Sequence, residues 1–200
     1  MPDPKPERPD VNDYLECSDM IDYDHPLVKE AAEQLTYGLK DNIAKSRAIF
    51  DFVRDHIFHS FQINATSVTK KASEVMDKGH GICYAKAHLL AALMRASDIP
   101  AGLCYQIRFD LELEQLVVHG FNAVYIQELS QWIRLDASKH GDEGQWRFDP
   151  LRESPELSIN KSLGEHDDFT VYLSPSRRVI KALNTSENVD ELRNLLPSKI

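Results

Sequence analysis

The sequence predicts an α+β fold in which N-terminal helices pack on an antiparallel β-sheet. Up to residue 96, apolar side chains recur with the 3.6-residue period of helices. From residue 103 onwards, they alternate with the period of two that is typical of strands. Helices first and strands afterwards is the order of α+β proteins, whereas α/β folds alternate the two.

The length and charge of the chain limit the number of domains it can form and the kinds of partner it can bind. Two hundred residues fit one domain with a single hydrophobic core. Prolines at positions 2, 4, 6 and 9 predict an extended N-terminal arm over residues 1–10, followed by a single domain over residues 11–200. The net charge of −9 disfavours binding to nucleic acid and to anionic membranes.

The cellular compartment is predicted from missing signals and from cysteine usage. The charged opening lacks the apolar stretch of a secretory signal, and the longest apolar run is residues 89–94. That run is far shorter than the roughly 20 residues of a membrane span. The three cysteines include no C-x-x-C pair. We therefore expect a cytoplasmic protein with reduced thiols and no membrane association.

The first half of the chain predicts three helical segments before the central one. Pro26 in a first turn starts a helix that ends at Gly38, and a second helix runs to about His56. Residues 60–71 have no clean period and predict a loop. Residues 72–78 predict one or two helical turns.

Residues 82–96 predict a buried helix. Gly79 and Gly81 break the chain just before it, and apolar side chains then cover most of its circumference. A helix that is apolar nearly all round is expected to be surrounded by protein. Cys83 stands at its start.

The second half predicts strands and a last helix. Residues 103–109 alternate, residues 116–126 are apolar on both faces, and residues 131–135 follow after a short polar turn. The last two strands are expected to form an antiparallel hairpin. Residues 169–173 predict one more strand, and residues 189–196 a short helix.

Cys83 is the candidate nucleophile. A thiolate is a far better nucleophile than a thiol, and the N–H groups at a helix N-terminus stabilise its charge. The same groups can form an oxyanion hole, and the preceding glycines let backbone and substrate approach closely. A small buried core residue is the alternative, since free cysteines are often buried. Cys17 and Cys104 lack the helix-start position and are expected to be inert or buried.

His119 and Asp136 are the candidate base and its orienting carboxylate. His119 lies in an otherwise apolar strand, where an unpartnered imidazole would cost about 1–3 kcal/mol. A two-residue turn that pairs Ile126 with Leu129 would set His119 directly opposite Asp136. A four-residue turn that pairs Ile126 with Gln131 would leave them diagonal on the same face. The alternative is a structural histidine–aspartate pair without a catalytic role.

Several motifs occur in an order that a known enzyme family shares. Residues 78–85, KGHGICYA, place a G-x-C motif at a helix start, and residues 89–101, LLAALMRASDIPA, follow it. A strand with His119 and a W-x-x-x-D strand ending at Asp136 come next. The combination resembles the transglutaminase-like superfamily over about residues 44–138.

This resemblance implies both a fold and a set of site residues. The implied fold is papain-like, with the nucleophile at the start of a buried helix that packs on an antiparallel sheet. The implied activity is that of a transglutaminase-like cysteine protease domain, with Cys83, His119 and Asp136 as its catalytic residues. The family often has H-A-W where this chain has His119-Gly120-Phe121, and a glycine where this chain has Asp98.

Other residues compete for a role in the site. Asp149, in the segment WRFDP, is a second candidate for the carboxylate. The interval from its tryptophan to its aspartate is one residue shorter than in the segment that ends at Asp136, and it requires another strand. Gln62 is a candidate oxyanion donor, although a solvated loop glutamine is the commoner case. The pairs His56 with His59 and His80 with Cys83 have metal-ligand spacing but no matching second pair, so we expect no metal and no cofactor.

The expected function is cysteine-dependent acyl transfer on a peptide or amide substrate through a thioester. Cys83 attacks the carbonyl, His119 protonates the leaving amine and activates the acceptor, and Asp136 orients His119. The resemblance implies hydrolysis, deamidation or transfer to an amine, and we favour hydrolysis because it needs no second substrate site. A non-catalytic protein-binding module of the same fold is the alternative. The presence of all three site residues disfavours that module.

Overall fold

The computed structural model describes residues 3–138, 147–151 and 157–200. It has the predicted order of helices followed by a sheet, which confirms the α+β class. The helices are α1 (Pro26–Thr36), α2 (Asn42–His56), α3 (Ala72–Lys78), α4 (Cys83–Ala96), α5 (Arg177–Thr185) and α6 (Val189–Asn194). The strands are β1 (Lys5–Pro6), β2 (Phe58–His59), β3 (His80–Gly81), β4 (Ala101–Asp110), β5 (Gln115–Ile126), β6 (Gln131–Leu135) and β7 (His166–Tyr172).

The main sheet has five strands in the order β1-β7-β4-β5-β6. Strands β4 to β7 pair antiparallel, and β1 joins β7 in parallel, so the N-terminal arm contributes a short edge strand. A separate parallel pair, β2 with β3, stands just before α4 in the fold. The strand predicted over residues 169–173 lies mostly within β7, which begins earlier at His166.

Helix α4 is the centre of the core, as its apolar circumference predicts. Every residue from Tyr84 to Arg95 is buried, and the helix packs against α1, α2, α3 and the sheet. Each fully buried leucine contributes about 1.5–3 kcal/mol of hydrophobic stabilisation. The rigidity of this helix fixes the position of its first residue, Cys83.

The helix ends follow local chemistry. Asp41 caps α2 by accepting a hydrogen bond from the Ala44 N–H at 2.7 Å. Helix α3 ends at Gly79, whose φ of 69° is a left-handed conformation that favours glycine. This reversal turns the chain directly into β3 and α4.

The β5–β6 turn decides between the two predicted registers. Ile126 pairs with Gln131, so the turn has four residues and the two-residue alternative is wrong. Residues Gln127–Leu129 form a 3-10 turn, and Ser130 takes a left-handed conformation with φ 52°. The Ser130 N–H donates to the Gln127 carbonyl at 3.2 Å and closes this turn.

Helix α5 was not among the predicted elements. It buries Val179, Ala182 and Leu183 on one face, and the Ser176 hydroxyl caps its first turn. The predicted last helix is present as α6 and ends two residues earlier, at Asn194. Within the described ranges, no helix has the length and hydrophobicity needed to cross a lipid bilayer.

Candidate active site

Cys83 is the first residue of α4, and tight packing brings the chain to that point. A Cβ added at Gly81 would lie 3.0 Å from the Ala85 Cβ and 3.2 Å from the Thr69 hydroxyl oxygen. Only glycine therefore lets β3 pack so closely on the first turn of α4. Ile82 precedes Cys83 as the N-cap residue. Its apolar side chain cannot accept hydrogen bonds from the first N–H groups of α4. The half-buried thiol thus lies beside free helix N–H groups.

His119 and Asp136 meet at the end of the β5–β6 hairpin. The His119 Nε2 lies 2.7 Å from the Asp136 Oδ2. Their contact is diagonal, because Leu135 is the last paired residue of β6 and lies opposite Asn122. The other carboxylate oxygen of Asp136 accepts a hydrogen bond from the Ser138 N–H at 2.8 Å. Both oxygens of this buried carboxylate are therefore held in place.

The electrostatics of the pair favour an ionised site. Burial alone would lower the pKa of His119, but the charge of Asp136, the hydrogen bond to it and the neighbouring Cys83 together raise that pKa. Burial would raise the pKa of Asp136, but the charge of His119 and hydrogen bonds from His119 and Ser138 lower it. The arrangement stabilises an imidazolium beside a carboxylate.

All three predicted residues line one cleft. The cleft has a volume of about 440 Å³ and is open to solvent along one side. Cys83, His119 and Asp136 contribute to it, and its walls include the apolar side chains of Phe61, Phe109, Val117 and Leu196. Cys83, His119 and Asp136 therefore lie around one cleft, with His119 hydrogen-bonded to Asp136.

A comparison with protein families identifies the chain. The sequence profile of the transglutaminase-like superfamily matches residues 29–137, more than half of the chain. The chain belongs to the transglutaminase-like superfamily. This membership confirms the resemblance carried by the motifs around Cys83, His119 and Asp136. A search of curated proteins found no match.

Solved structures resemble this transglutaminase-like chain, and one of them, with a TM-score of 0.55, shares its fold. A candidate cysteine protease from Cytophaga hutchinsonii is 24% identical, with a TM-score of 0.55 over 66% of this chain and 43% of its own. The periplasmic domain of TgpA from Pseudomonas aeruginosa is 17% identical, with a TM-score of 0.47 over 64% of this chain and 47% of its own. The chain thus spans less than half of each of these structures. Family and fold together support a cysteine-dependent enzyme in general.

Asp149 lies apart from the cleft of the transglutaminase-like domain. Its side chain is exposed, and one carboxylate oxygen accepts a hydrogen bond from the Leu151 N–H at 2.9 Å. Trp146, which opened this rival motif, lies outside the described residues. Asp136 is the carboxylate that bonds to His119.

The glycine after His119 has a steric cause. A Cβ at Gly120 would lie 2.7 Å from the Tyr84 Cδ1, a distance that real Cβ contacts do not show. The Tyr84 hydroxyl in turn donates a hydrogen bond to the Val118 carbonyl, next to His119. Glycine therefore stands at position 120, where the family often has alanine, because the buried Tyr84 ring occupies the space of an alanine side chain.

Two polar residues near the site were missed by sequence reasoning. Lys86 is 1% exposed, lies one turn after Cys83, and donates from Nζ to the Ile57 carbonyl at 2.6 Å. Its burial lowers its pKa to about 8, although Asp136, Asp55 and Cys83 oppose that shift. His59 lines the cleft from β2. The sequence did offer one signal for Lys86, namely its position three residues after a cysteine at a helix start.

The remaining candidates fall into different environments. Gln62 reaches the cleft but is exposed, and the buried His80 ring hydrogen-bonds the Ser60 hydroxyl at 3.0 Å. Cys104 is fully buried, which is one of the two environments predicted for it. The Cys17 residue as a whole is exposed. Partial burial of its thiol and a hydrogen bond to Asp24 raise the pKa of that thiol, which makes it a weak nucleophile.

Proposed function

We propose that this protein is a cysteine hydrolase that cleaves a peptide or amide bond through a thioester on Cys83. One observation carries the proposal: His119 hydrogen-bonds Asp136 in the same cleft that Cys83 lines from the start of α4. Cysteine nucleophile, base and orienting carboxylate are the groups that acyl transfer requires. The expected substrate is a peptide or protein segment.

The first half-reaction forms the acyl-enzyme. The Cys83 thiolate attacks the carbonyl carbon, and the resulting oxyanion accepts hydrogen bonds from N–H groups at the start of α4. When the tetrahedral intermediate collapses, the C–N bond breaks and the His119 imidazolium gives its proton to the leaving amine. The acyl group remains on sulfur as a thioester.

The second half-reaction releases the product. His119, now neutral, takes a proton from water as the water oxygen attacks the thioester carbon. The C–S bond breaks, the carboxylic acid leaves, and the thiolate–imidazolium pair is restored. The His119 side chain is 22% exposed. We favour water over an amine as the acceptor because hydrolysis needs no second substrate site.

Asp136 acts on both half-reactions through His119. Its carboxylate fixes the tautomer of the imidazole and stabilises the imidazolium that is consumed in the first half-reaction and restored in the second. The second oxygen of Asp136 is bound by the Ser138 N–H, so the carboxylate cannot turn away from His119. Asp136 is therefore a positioning residue, whereas Cys83 and His119 touch the reacting atoms.

The proposal is tested by profiling a peptide library with and without an added primary amine. Hydrolysis predicts cleaved or deamidated peptides whose yield the amine does not change. Amide products that incorporate the amine would instead assign the transglutaminase-type transfer. Cys83→Ala is the control, since it removes one sulfur at a helix start and should leave the fold intact. Peptide binding that is equal in both proteins, with no product from either, would assign a non-catalytic binding module.

A further inference from the structure

The short strand β2 directs His59 towards the first turn of α4. It pairs in parallel with β3, and His59 lies opposite Gly81, two residues before Cys83. Paired residues on neighbouring strands project from the same face of a sheet. At Gly81 that face is turned to α4, because a Cβ there would approach Ala85 and the Lys86 backbone nitrogen at 3.0 and 3.4 Å.

The pair β2–β3 holds His59 firmly. The Phe58 and Ser60 N–H groups donate to the Gly79 and Gly81 carbonyls at 2.9 and 3.2 Å. Lys86 Nζ binds the Ile57 carbonyl from the other side, at 2.6 Å. A buried lysine on α4 therefore ties the segment that carries His59 to the helix that carries Cys83.

The His59 ring is available for a ligand in the cleft. Its edge contacts the Phe61 ring, with centroids 5.3 Å apart. Within the residues that the structure describes, no carbonyl or side chain takes up a hydrogen bond from its ring nitrogens. A half-buried imidazole that lines a cleft in this way has an N–H to offer to whatever enters.

The charges around His59 keep it neutral. Burial, followed by the positive charges of Lys86 and His119, lowers its pKa to about 4, and Asp136 opposes this only in part. Near neutral pH, the ring is therefore uncharged and carries one N–H. Neutral imidazoles are suited to polarising a carbonyl, because they donate a hydrogen bond without giving up the proton.

An oxyanion hole needs donors from more than one direction. The backbone N–H of Cys83 is available as the first donor, since the Ile82 side chain accepts no hydrogen bond from it. The side-chain amide of Gln62 is a candidate for the second donor, but this side chain is exposed to solvent. His59 is held by two strands and a lysine, so its position costs no reordering when the oxyanion forms.

We propose that His59 is a further catalytic residue, whose ring N–H donates a hydrogen bond to the oxyanion that forms when Cys83 attacks the substrate carbonyl. This inference rests on the proposed acyl transfer. No bond to His59 is made or broken, and its proton stays on the ring. Its hydrogen bond strengthens only as negative charge develops on the carbonyl oxygen.

Two reactions of the same thiol separate this role from a structural one. Acylation by p-nitrophenyl acetate passes through an oxyanion, whereas alkylation by iodoacetamide displaces iodide and forms none. His59→Phe keeps a planar ring against Phe61 but has no N–H. We expect it to slow Cys83 acylation by roughly 10² to 10³, the usual loss for one oxyanion donor. Because His59 is neutral, alkylation should change by less than about threefold.

Conservative and competing variants complete the test. His59→Gln retains an N–H donor and should recover at least about tenfold of the lost acylation rate. Gln62→Leu removes the competing amide from the cleft and should slow acylation by no larger a factor than alkylation. Equal losses of acylation and alkylation in His59→Phe, or a selective acylation loss in Gln62→Leu instead, would overturn the inference.

The test also distinguishes failure of the inference from failure of the proposed function. If wild-type protein and Cys83→Ala react equally with the ester, no thioester forms on Cys83, and both proposals fall. If the thioester forms on Cys83 at the same rate in wild type and His59→Phe, the acyl transfer stands and only the role of His59 is overturned.

Discussion

His119 and Asp136 hydrogen-bond diagonally across the end of the β5–β6 hairpin, with the His119 Nε2 2.7 Å from the Asp136 Oδ2. The regular pairing ends one residue earlier, at Leu135 opposite Asn122. Asp136 therefore lies outside the hydrogen-bonded pairing of β5 with β6, and the Ser138 N–H donates a hydrogen bond to its second carboxylate oxygen. The contact depends on the four-residue turn, because any odd-length turn without a bulge would place the two side chains on opposite faces.

Replacing Asp136 by asparagine should impair catalysis while keeping the shape of the site. Asp136→Asn removes the charge that stabilises the His119 imidazolium, and an analogous change in a serine triad lowers kcat by about 10⁴. We expect a loss of roughly 10² to 10⁴ here, since the helix start also stabilises the thiolate. The pKa of His119 should fall, which an NMR titration of its ring measures.

Asp149→Asn is the matched control for Asp136→Asn. Its carboxylate is exposed and bonds only locally, to the Leu151 N–H. We expect its kcat and its His119 titration to equal those of the wild type. An inactive Asp149→Asn beside a fully active Asp136→Asn would move the orienting role to Asp149.

The stability of the fold should depend on pH through the same pair. The pKa of His119 is raised above its ordinary value of 6.5, so its contribution is complete below that pH and is lost as pH rises through the raised value. The pKa of Asp136 is lowered from 3.8, so its contribution is complete above that pH and is lost as pH falls through the lowered value.

Both contributions are therefore complete between pH 3.8 and 6.5. Urea unfolding of wild type and Asp136→Asn measures the difference in the free energy of unfolding at each pH. We expect that difference to be largest near about pH 5 and to shrink on either side. A difference that is constant from acid to alkaline pH would show that the ion pair does not contribute to stability.

Lys86→Met should change the electrostatics of the cleft without changing its volume greatly. The positive charge of Lys86 is the second-largest cause, after burial, of the lowered pKa of His59. Its removal should raise the pKa of His59, which an NMR titration of the ring measures. Lys71→Met, on a lysine paired with Asp19, should leave the pKa of His59 unchanged. An unchanged His59 titration in Lys86→Met would mean that the two charges are too well screened to interact.

Gly120→Ala should destabilise the protein through Tyr84. The added Cβ would meet the Tyr84 ring at 2.7 Å, and overpacking of this kind costs about 1–3 kcal/mol. A smaller side chain in Tyr84→Leu should relieve the clash, so the double variant should be more stable than the sum of the single changes predicts. A double-mutant cycle by thermal unfolding measures this coupling. Strict additivity would show that Tyr84 is not the residue that excludes alanine.

Much of the site was predictable because it depends on local pattern. The all-round apolar character of α4 predicts burial, and the glycines before Cys83 mark where the helix begins. The short polar turn between the apolar segments of β5 and β6 predicts a hairpin, and an even number of turn residues brings His119 and Asp136 to one face. The turn length was left open because Ser130 takes a left-handed conformation, which a serine does not signal.

The residues that were missed depend on contacts between distant parts of the chain. Strands β2 and β3 have only two residues each, too few to show a period, so the position of His59 was not readable. A lysine ordinarily predicts a surface, and the burial of Lys86 becomes favourable only because the Ile57 carbonyl accepts its hydrogen bond. Helix α5 was readable in principle, because Val179, Ala182 and Leu183 recur at helical spacing, and it was missed.

Residue-resolved alkylation of the three cysteines tests the proposed nucleophile most directly. Iodoacetamide modification followed by mass spectrometry gives a rate constant for each thiol at pH 7. We expect Cys83 to react at least about tenfold faster than Cys17, because Cys83 lies at the start of α4, whereas the pKa of the Cys17 thiol is raised. Buried Cys104 should react slowest. A Cys83 rate no faster than that of Cys17 would contradict the proposed nucleophile.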